Sequence, residues 1–372
     1  MTIDGLLFVA TAILATLAII FILVLVHELG HFVTARLVGI RVLEFGIGFP
    51  PRAKVLARRG ETEYTLNYLP IGGFVRMEGE DADSDDPHSF NNAGLLRQLL
   101  VLVAGVTMNV ITAFLLFFVV AWLFSPGESV SNVYMTPGGP AQAAGLTNGV
   151  TIESLDGQRY GFMSSQDLIG AIQEHPNQVV TVGYIDTSGS HKTVQLRLGA
   201  NADGKGVLGI QCAPVLTSTT SCSFKLVVTY SPTNPAAALS TAADQTWTSL
   251  RLITGAVGNI AGQVASNPGQ APAGVSGPVG ITQVVGVVLQ DYGFVILLLL
   301  AGLLSANLAL INVLPIPPFD GGKMAIMVIK KAFGVRAVTN YEIVTNLIGF
   351  ALLMAFVLWI SFFDVIRIGS GG

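Results

Sequence analysis

Along the chain, charged residues and histidine vanish completely in four long apolar stretches, Gly5–Val26, Gln98–Phe124, Tyr292–Phe319 and Ile343–Phe363. A helix needs about 20 apolar residues to cross roughly 30 Å of hydrocarbon, and each stretch meets that length. Four transmembrane helices are therefore predicted. The first stretch has only Asp4 before it and no basic n-region, so it reads as a membrane helix and not as a cleaved signal peptide. It continues as HELGHFVTARLVG, an amphipathic extension that stops near Gly39. The uncharged stretch Leu252–Gln290 is rich in Gly, Pro, Ser and Asn and fits a spanning helix poorly.

Between the spans the pattern changes. Val55–Ala57 and Glu63–Leu69 read as short strands, punctuated by Arg59-Gly60 and Pro70-Ile71-Gly72-Gly73. The acidic run Glu78–Asp86 reads as a solvated loop. Val130–Pro214 has soluble composition with alternating segments at Val179–Ile185 and Thr193–Leu198, the pattern of one small α/β domain. Asn234–Val264 carries apolar residues at helical spacing and predicts an amphipathic helix at the membrane surface. The Pro-, Gly- and Ala-rich Ser266–Ser276 reads as a flexible lead into the third span.

Composition agrees with this division, since only 11% of residues are charged and 51% are hydrophobic, against roughly 25% charged in ordinary soluble domains. The lipid bilayer is thus the first expected partner. A net charge of −4 without any basic tract leaves no footprint for nucleic acid, and none is expected. Lys and Arg near span ends set orientation. Arg36 to Arg97 holds eight of them and the short loop after span three holds four, whereas the long segment Ser125–Asp291 holds six. The short basic loops should face the cytoplasm, with both termini and the central segment outside. The two cysteines, Cys212 and Cys222, both fall in that outer segment, where a disulfide and two free thiols are both open.

The chemistry centres on His27-Glu28-Leu29-Gly30-His31. Positions i and i+4 share one helix face, so both imidazoles can reach one Zn²⁺ while Glu28 sits beside the bound water as its base. The motif also lies at the end of an apolar span, where ionisable groups are costly unless they pair or bind metal. A catalytic zinc commonly takes a third protein ligand. Asp320 in NVLPIPPFDGGK is the candidate, because spans one and three run in the same direction and bring both sites to the cytoplasmic level. Pro315, Pro317 and Pro318 would break the helix there, and Gly321-Gly322 would let the backbone turn. Asp320 could instead cap the helix Met324–Phe333, or do both. His88, His175 and His191 lie in polar stretches and read as surface histidines. A metal transporter could use His27, His31 and Asp320, but would have no need of Glu28 between the histidines.

HELGH, GIGFPP, PIGGFVRM, GPVGI and NVLPIPPFDG together resemble the site-2 protease family of intramembrane zinc metalloproteases, and within it the bacterial regulator-of-sigma-E protease branch. The resemblance implies one Zn²⁺ per chain on His27, His31 and Asp320, Glu28 as catalytic base, and Asn307 and Asn312 near substrate or the oxyanion. It likens Tyr64–Val75 to a re-entrant β-loop whose Gly72, Gly73 and Phe74 would meet an extended substrate. GGPAQAAGLTNGVTIESLDG resembles a PDZ domain, which could read a peptide tail. The fold class implied is a polytopic α-helical membrane protein of four transmembrane helices with a short re-entrant β region and one extracytoplasmic α/β PDZ-like domain. The expected division is span one with HExxH (1–38), a cytoplasmic-side loop with a β-hairpin (39–93), span two (94–124), the PDZ-like domain (128–215), a linker with the amphipathic helix (216–290), span three (291–320), a cytoplasmic loop or helix (321–341) and span four (342–366). The implied activity is cleavage, in a bacterial inner membrane, of the transmembrane segments of single-span proteins such as anti-sigma factors or signal-peptide remnants. Val106 in AGVTMN stands where the family usually has Pro, Phe319 where it usually has Leu, and the PDZ-like pattern occurs once where the sigma-E protease has two.

Overall fold

The computed structural model describes residues 3–80, 84–162, 167–211, 225–266, 275–334 and 340–369. These form two compact units, Met1–Leu116 with Thr246–Gly372, and Phe117–Gln245. Cys212 and Cys222, and most of Ser266–Ser276, lie outside the described residues.

In the first unit, α1 (Ile3–Leu37) is a single helix of 35 residues that carries HExxH in its last third. Leu6, Leu7, Leu14 and Ile22 project outward from it, as expected where the surrounding solvent is hydrocarbon. Two long strands follow, β1 (Val42–Arg59) and β2 (Thr62–Met77). They are far longer than the short strands read from the sequence. Phe45 lies opposite both Tyr64 and Val75, and Gly46 opposite both Thr65 and Phe74, so the first half of β1 runs between the two halves of β2. Such pairing between distant segments is invisible in a local hydrophobic pattern. Phe32 of α1, Phe45 and Tyr64 form an aromatic cluster with ring centroids 5.0–6.2 Å apart, and Met77, Phe90, Val101 and Leu102 complete that core. The next helix, α2 (Leu95–Leu123), is the second long apolar helix.

The second unit is built on a sheet. Its elements are β3 (Pro126–Met135), α3 (Pro140–Ala143), β4 (Val150–Leu155), α4 (Leu168–Gln173), β5 (Val179–Ile185), β6 (His191–Arg197), β7 (Gly199–Ala200), β8 (Gly206–Val207), β9 (Ile210–Gln211) and β10 (Lys225–Tyr230). The strand order is β10-β3-β4-β5-β6, with β9 also on β3 and β7 paired to β8. Val130, Val133, Ile152, Leu155, Leu168, Ile172, Val182 and Leu198 fill its core. Asp167 caps α4 through the Gly170 N–H.

The chain then enters α5 (Pro235–Ser266), where Asn234 Oδ1 accepts from the Ala237 N–H at 2.8 Å as the cap. Among its described side chains, the small residues Ala238, Ala242, Thr246 and Ser249, at helical spacing, are buried, while Trp247 and Leu252 are exposed. Back in the first unit, α6 (Pro278–Val287) passes through a π-helical turn, Val288–Tyr292, into α7 (Gly293–Val313). The third apolar helix thus runs Pro278–Val313, where the sequence placed Tyr292–Phe319. Pro278 lies in the first turn, where a missing N–H costs no hydrogen bond, so the Gly/Pro-rich stretch starts a helix instead of breaking one. At the other end the helix stops at Val313, two residues before Pro315. The last helices are α8 (Asp320–Ala332) and α9 (Asn340–Gly369). Asp364 on α9 accepts from the Gly280 N–H at 2.8 Å, and α6 packs on α1 where Gly286 meets Phe8 and Ala12. Among the described residues, four helices are long and apolar enough to cross a membrane.

Candidate metal centre

The centre is assembled from three helices. On α1, His27 and His31 are one turn apart and nearly buried, at 7% and 5% exposure. Their rings stand almost perpendicular, with Nε2 atoms 3.0 Å apart. Asp320 opens α8, but the residue in cap position is Phe319 and no side chain caps that end. The Asp320 carboxylate goes to the imidazoles instead, with Oδ2 3.1 Å from His27 Nε2 and 3.3 Å from His31 Nε2. Gly321 makes the placement feasible, since a Cβ there would collide with the carbonyl oxygens of Val313 and Leu314 at the end of α7.

These residues fit a zinc ion. A tetrahedral metal bound at about 2.0–2.1 Å holds its ligand atoms roughly 3.3 Å apart, and the three observed separations are 3.0, 3.1 and 3.3 Å. Asp320 Oδ2 is buried and has no hydrogen-bond partner among the described residues, a state that is costly for a carboxylate unless a cation completes it. His31 Nδ1 lies 2.8 Å from the Val101 carbonyl, so the proton sits on Nδ1 and the lone pair on Nε2, facing the other donors. Two imidazole nitrogens and one carboxylate oxygen, with a position left open, is a donor set typical of catalytic zinc.

Glu28 offers a carboxylate oxygen within 4.8 Å of both imidazole nitrogens. Its Oε2 accepts from the backbone N–H of Val75 at 3.1 Å, which ties β2 to the centre. Gly72 and Gly73 let β2 come that close. Gly72 has φ +70°, and a Cβ there would lie 2.8 Å from Val24 Cβ on α1, while one at Gly73 would lie 3.1 Å from Leu25 Cδ1. The Phe74 ring covers Gly46. Asn307 and Asn312 sit partly buried on α7, and no side-chain hydrogen bond joins either to the cluster among the described residues. His88 and His191 pair with Asp86 and Glu153, and His175 with the Ala171 carbonyl.

The contribution of α2 was not foreseen from the sequence. Val101, Gly105 and Asn109 follow one another at i, i+4 and i+8, a single stripe of that helix. The Val101 carbonyl holds His31. A Cβ at Gly105 would overlap His31 Nε2 and lie 2.7 Å from His27 Cε1. Asn109 Nδ2 is 3.3 Å from His27 Nδ1. The segment AGVTMN departs from the family pattern at Val106, yet nothing in it indicates which face meets the histidines. Val75 acts through its backbone, so its side chain carried no signal either.

The profile of peptidase family M50 matches residues 15–356. Among similar proteins, one of Clostridium acetobutylicum provisionally named a zinc metalloprotease is 30% identical over 347 residues, covering 93% of this chain and 94% of its own. One of Nostoc with the same provisional name is 32% identical over 334 residues, 86% of each chain. A chloroplastic membrane metalloprotease of Arabidopsis thaliana is 29% identical over 349 residues, covering 87% of this chain and 71% of its own.

Proposed function

The chain belongs to peptidase family M50 and is a zinc metalloprotease of the membrane, and on that premise we propose that it hydrolyses peptide bonds within the transmembrane segments of single-span proteins. One observation carries the reading: His27 Nε2 and His31 Nε2, on a helix long and apolar enough to span, converge with Asp320 Oδ2 of α8 to within 3.3 Å of one another, beside Glu28. These three residues would hold one zinc per chain.

Zinc, when bound, supplies a Lewis acid that brings the pKa of a water down to about 7. Glu28 would act as general base toward the attacking water, whose oxygen joins the scissile carbonyl carbon, and would hand the proton to the amine as the C–N bond breaks. The Val75 N–H fixes the orientation of the Glu28 carboxylate. A helical substrate must first be extended, because its carbonyls are otherwise engaged in helix bonds. The Gly73–Arg76 stretch of β2, paired with β1 and directed by Val75 toward Glu28, supports a site where an extended segment adds as a further strand. Gly72, Gly73 and Phe74 would line that edge as the re-entrant β-loop. Asn307 and Asn312, partly buried on α7, would stand near substrate or the oxyanion, where their amides could donate to a developing charge. The sheet and short helices of the second unit support the PDZ-like reading, in which it takes a peptide tail. The Lys and Arg distribution supports termini and PDZ-like unit outside a bacterial inner membrane, with the centre near the cytoplasmic side.

The test is cleavage of a tagged single-span protein in detergent by wild type and Glu28→Gln, with bound zinc quantified in both. Cleavage by wild type alone, with zinc near one per chain in each, is expected. Equal survival of several substrates with both proteins, zinc being bound, would sink the reading and direct attention to metal transport.

A further inference from the structure

We infer that Asn109 is a positioning residue for His27, setting which ring nitrogen of that imidazole is offered to the zinc. The inference rests on the reading of His27 as a ligand. Asn109 is fully buried on α2, and its backbone carbonyl accepts from Ser305 Oγ at 2.8 Å, which pins this turn of α2 to α7. Its side chain reaches His27 Nδ1 with the amide nitrogen at 3.3 Å, while Oδ1 is buried with no hydrogen-bond partner among the described residues.

In this orientation the amide N–H donates to a lone pair on Nδ1. The ring proton must then lie on Nε2, among the atoms that converge on Asp320, where it would block metal binding. With the lone pair of Nε2 given to zinc, Nδ1 carries the proton and needs an acceptor. A half-turn of the amide about Cβ–Cγ exchanges its oxygen and nitrogen. Oδ1, the atom left without a partner, then accepts from the Nδ1 proton. His31 already has the matching arrangement, since the Val101 carbonyl accepts from its Nδ1. The stripe on α2 therefore serves both histidines: a backbone carbonyl for His31, an amide oxygen for His27, and Gly105 between them to admit the rings. Partners of this kind orient metal-bound imidazoles and raise their basicity, and losing one typically costs about 10–100-fold in metal affinity.

The experiment measures zinc affinity of the detergent-solubilised full chain by competition with a chromophoric chelator, together with thermal unfolding of the zinc-free proteins. The variants are Asn109→Leu, close in size without polar atoms, Asn109→Asp, which keeps an acceptor, His27→Ala, and the double variant His27→Ala/Asn109→Leu. We expect Asn109→Leu to bind zinc about 10–100-fold more weakly, Asn109→Asp to stay within a few fold of wild type, and Asn109→Leu to add nothing once His27 is gone. A purely structural residue would give a different ranking, with the buried charge of Asn109→Asp the more damaging. Wild-type affinity in Asn109→Leu overturns the inference. If that variant does not fold, Asn109→Asp decides alone, and a loss of affinity as large as that of His27→Ala overturns it. Undiminished zinc binding in His27→Ala would instead remove the ligand reading on which the inference stands.

Discussion

Replacing Gly105 by Ala tests whether α2 is packed directly against His27 and His31, the candidate zinc ligands. A Cβ at that position lies 2.7 Å from His27 Cε1, against at least 3.4 Å for an ordinary contact, so the His27 ring must retreat by about 0.7 Å, and His31 by more. Two opposing terms act on stability. Removing a glycine from a helix interior favours the fold by about 1 kcal/mol, while an extra methyl in a closed site costs about 1–3 kcal/mol. The net effect on unfolding therefore ranges from about zero to a loss of about 2 kcal/mol, at most a few degrees of melting temperature in a chain of this length. The effect on function is larger, because displacing reacting groups by about 1 Å is worth roughly 100-fold in rate. Gly105→Ala is expected to lose about 10–100-fold in zinc affinity and about 100-fold in cleavage of a single-span substrate, with the melting temperature of the zinc-free protein lowered by a few degrees at most. Gly255→Ala is the control, since a Cβ there meets nothing within 4 Å. Zinc competition, melting and cleavage measured side by side decide the matter. If Gly105→Ala binds zinc within twofold of wild type and cuts at the wild-type rate, the imidazoles do not rest on Gly105 and the packing argument is refuted.

Two further outcomes are expected. Burial pushes the Glu44 carboxyl up, but hydrogen bonds from Thr65 and Arg52 and the charges of Arg52 and Arg76 outweigh it and hold the group below the usual carboxylate range. The stability Glu44 contributes is thus fully present above its unfolded pKa of about 4.3 and is lost as pH falls through the lower folded value, so limited proteolysis at Arg58–Arg59 should accelerate below about pH 4 in wild type and depend less on pH in Glu44→Gln. Lys323→Met removes the 2.7 Å ion pair that ties α8 to Glu80; with the lysine one-third exposed, about 1–2 kcal/mol of α8 docking is lost, and zinc release to a chelator should quicken roughly tenfold, an unchanged rate showing that this pair does not hold Asp320 in place.

The division of labour between sequence and packing follows from what each residue encodes. The spans were legible because crossing hydrocarbon demands a run of apolar residues that no local exception can hide. His27 and His31 were legible because i and i+4 share a face in any helix, whatever surrounds it. Asp320 was reachable because the parity of spans brings the ends of α1 and α7 to one level. The structure then corrected what depends on distant partners. The Gly- and Pro-rich stretch up to Gln290 fits a spanning helix poorly by composition, but Pro278 in the first turn of α6 makes its end the start of the third span. The long register of β1 and β2, with Phe45 between Tyr64 and Val75, needed segments some thirty residues apart to meet.

The supporting contacts of the metal centre were hidden for a more general reason. A helix as predominantly apolar as α2 has no amphipathic stripe to show which face turns inward. Val101 and Val75 contribute backbone groups that every residue possesses, and Gly105 contributes the lack of an atom. Asn109 is a polar residue within a span, but nothing in the sequence names its partner. Residue type and spacing therefore determined the spans and the candidate ligands. The rotation of α2 about its axis, set by close packing against α1 and α7, decided which residues orient them.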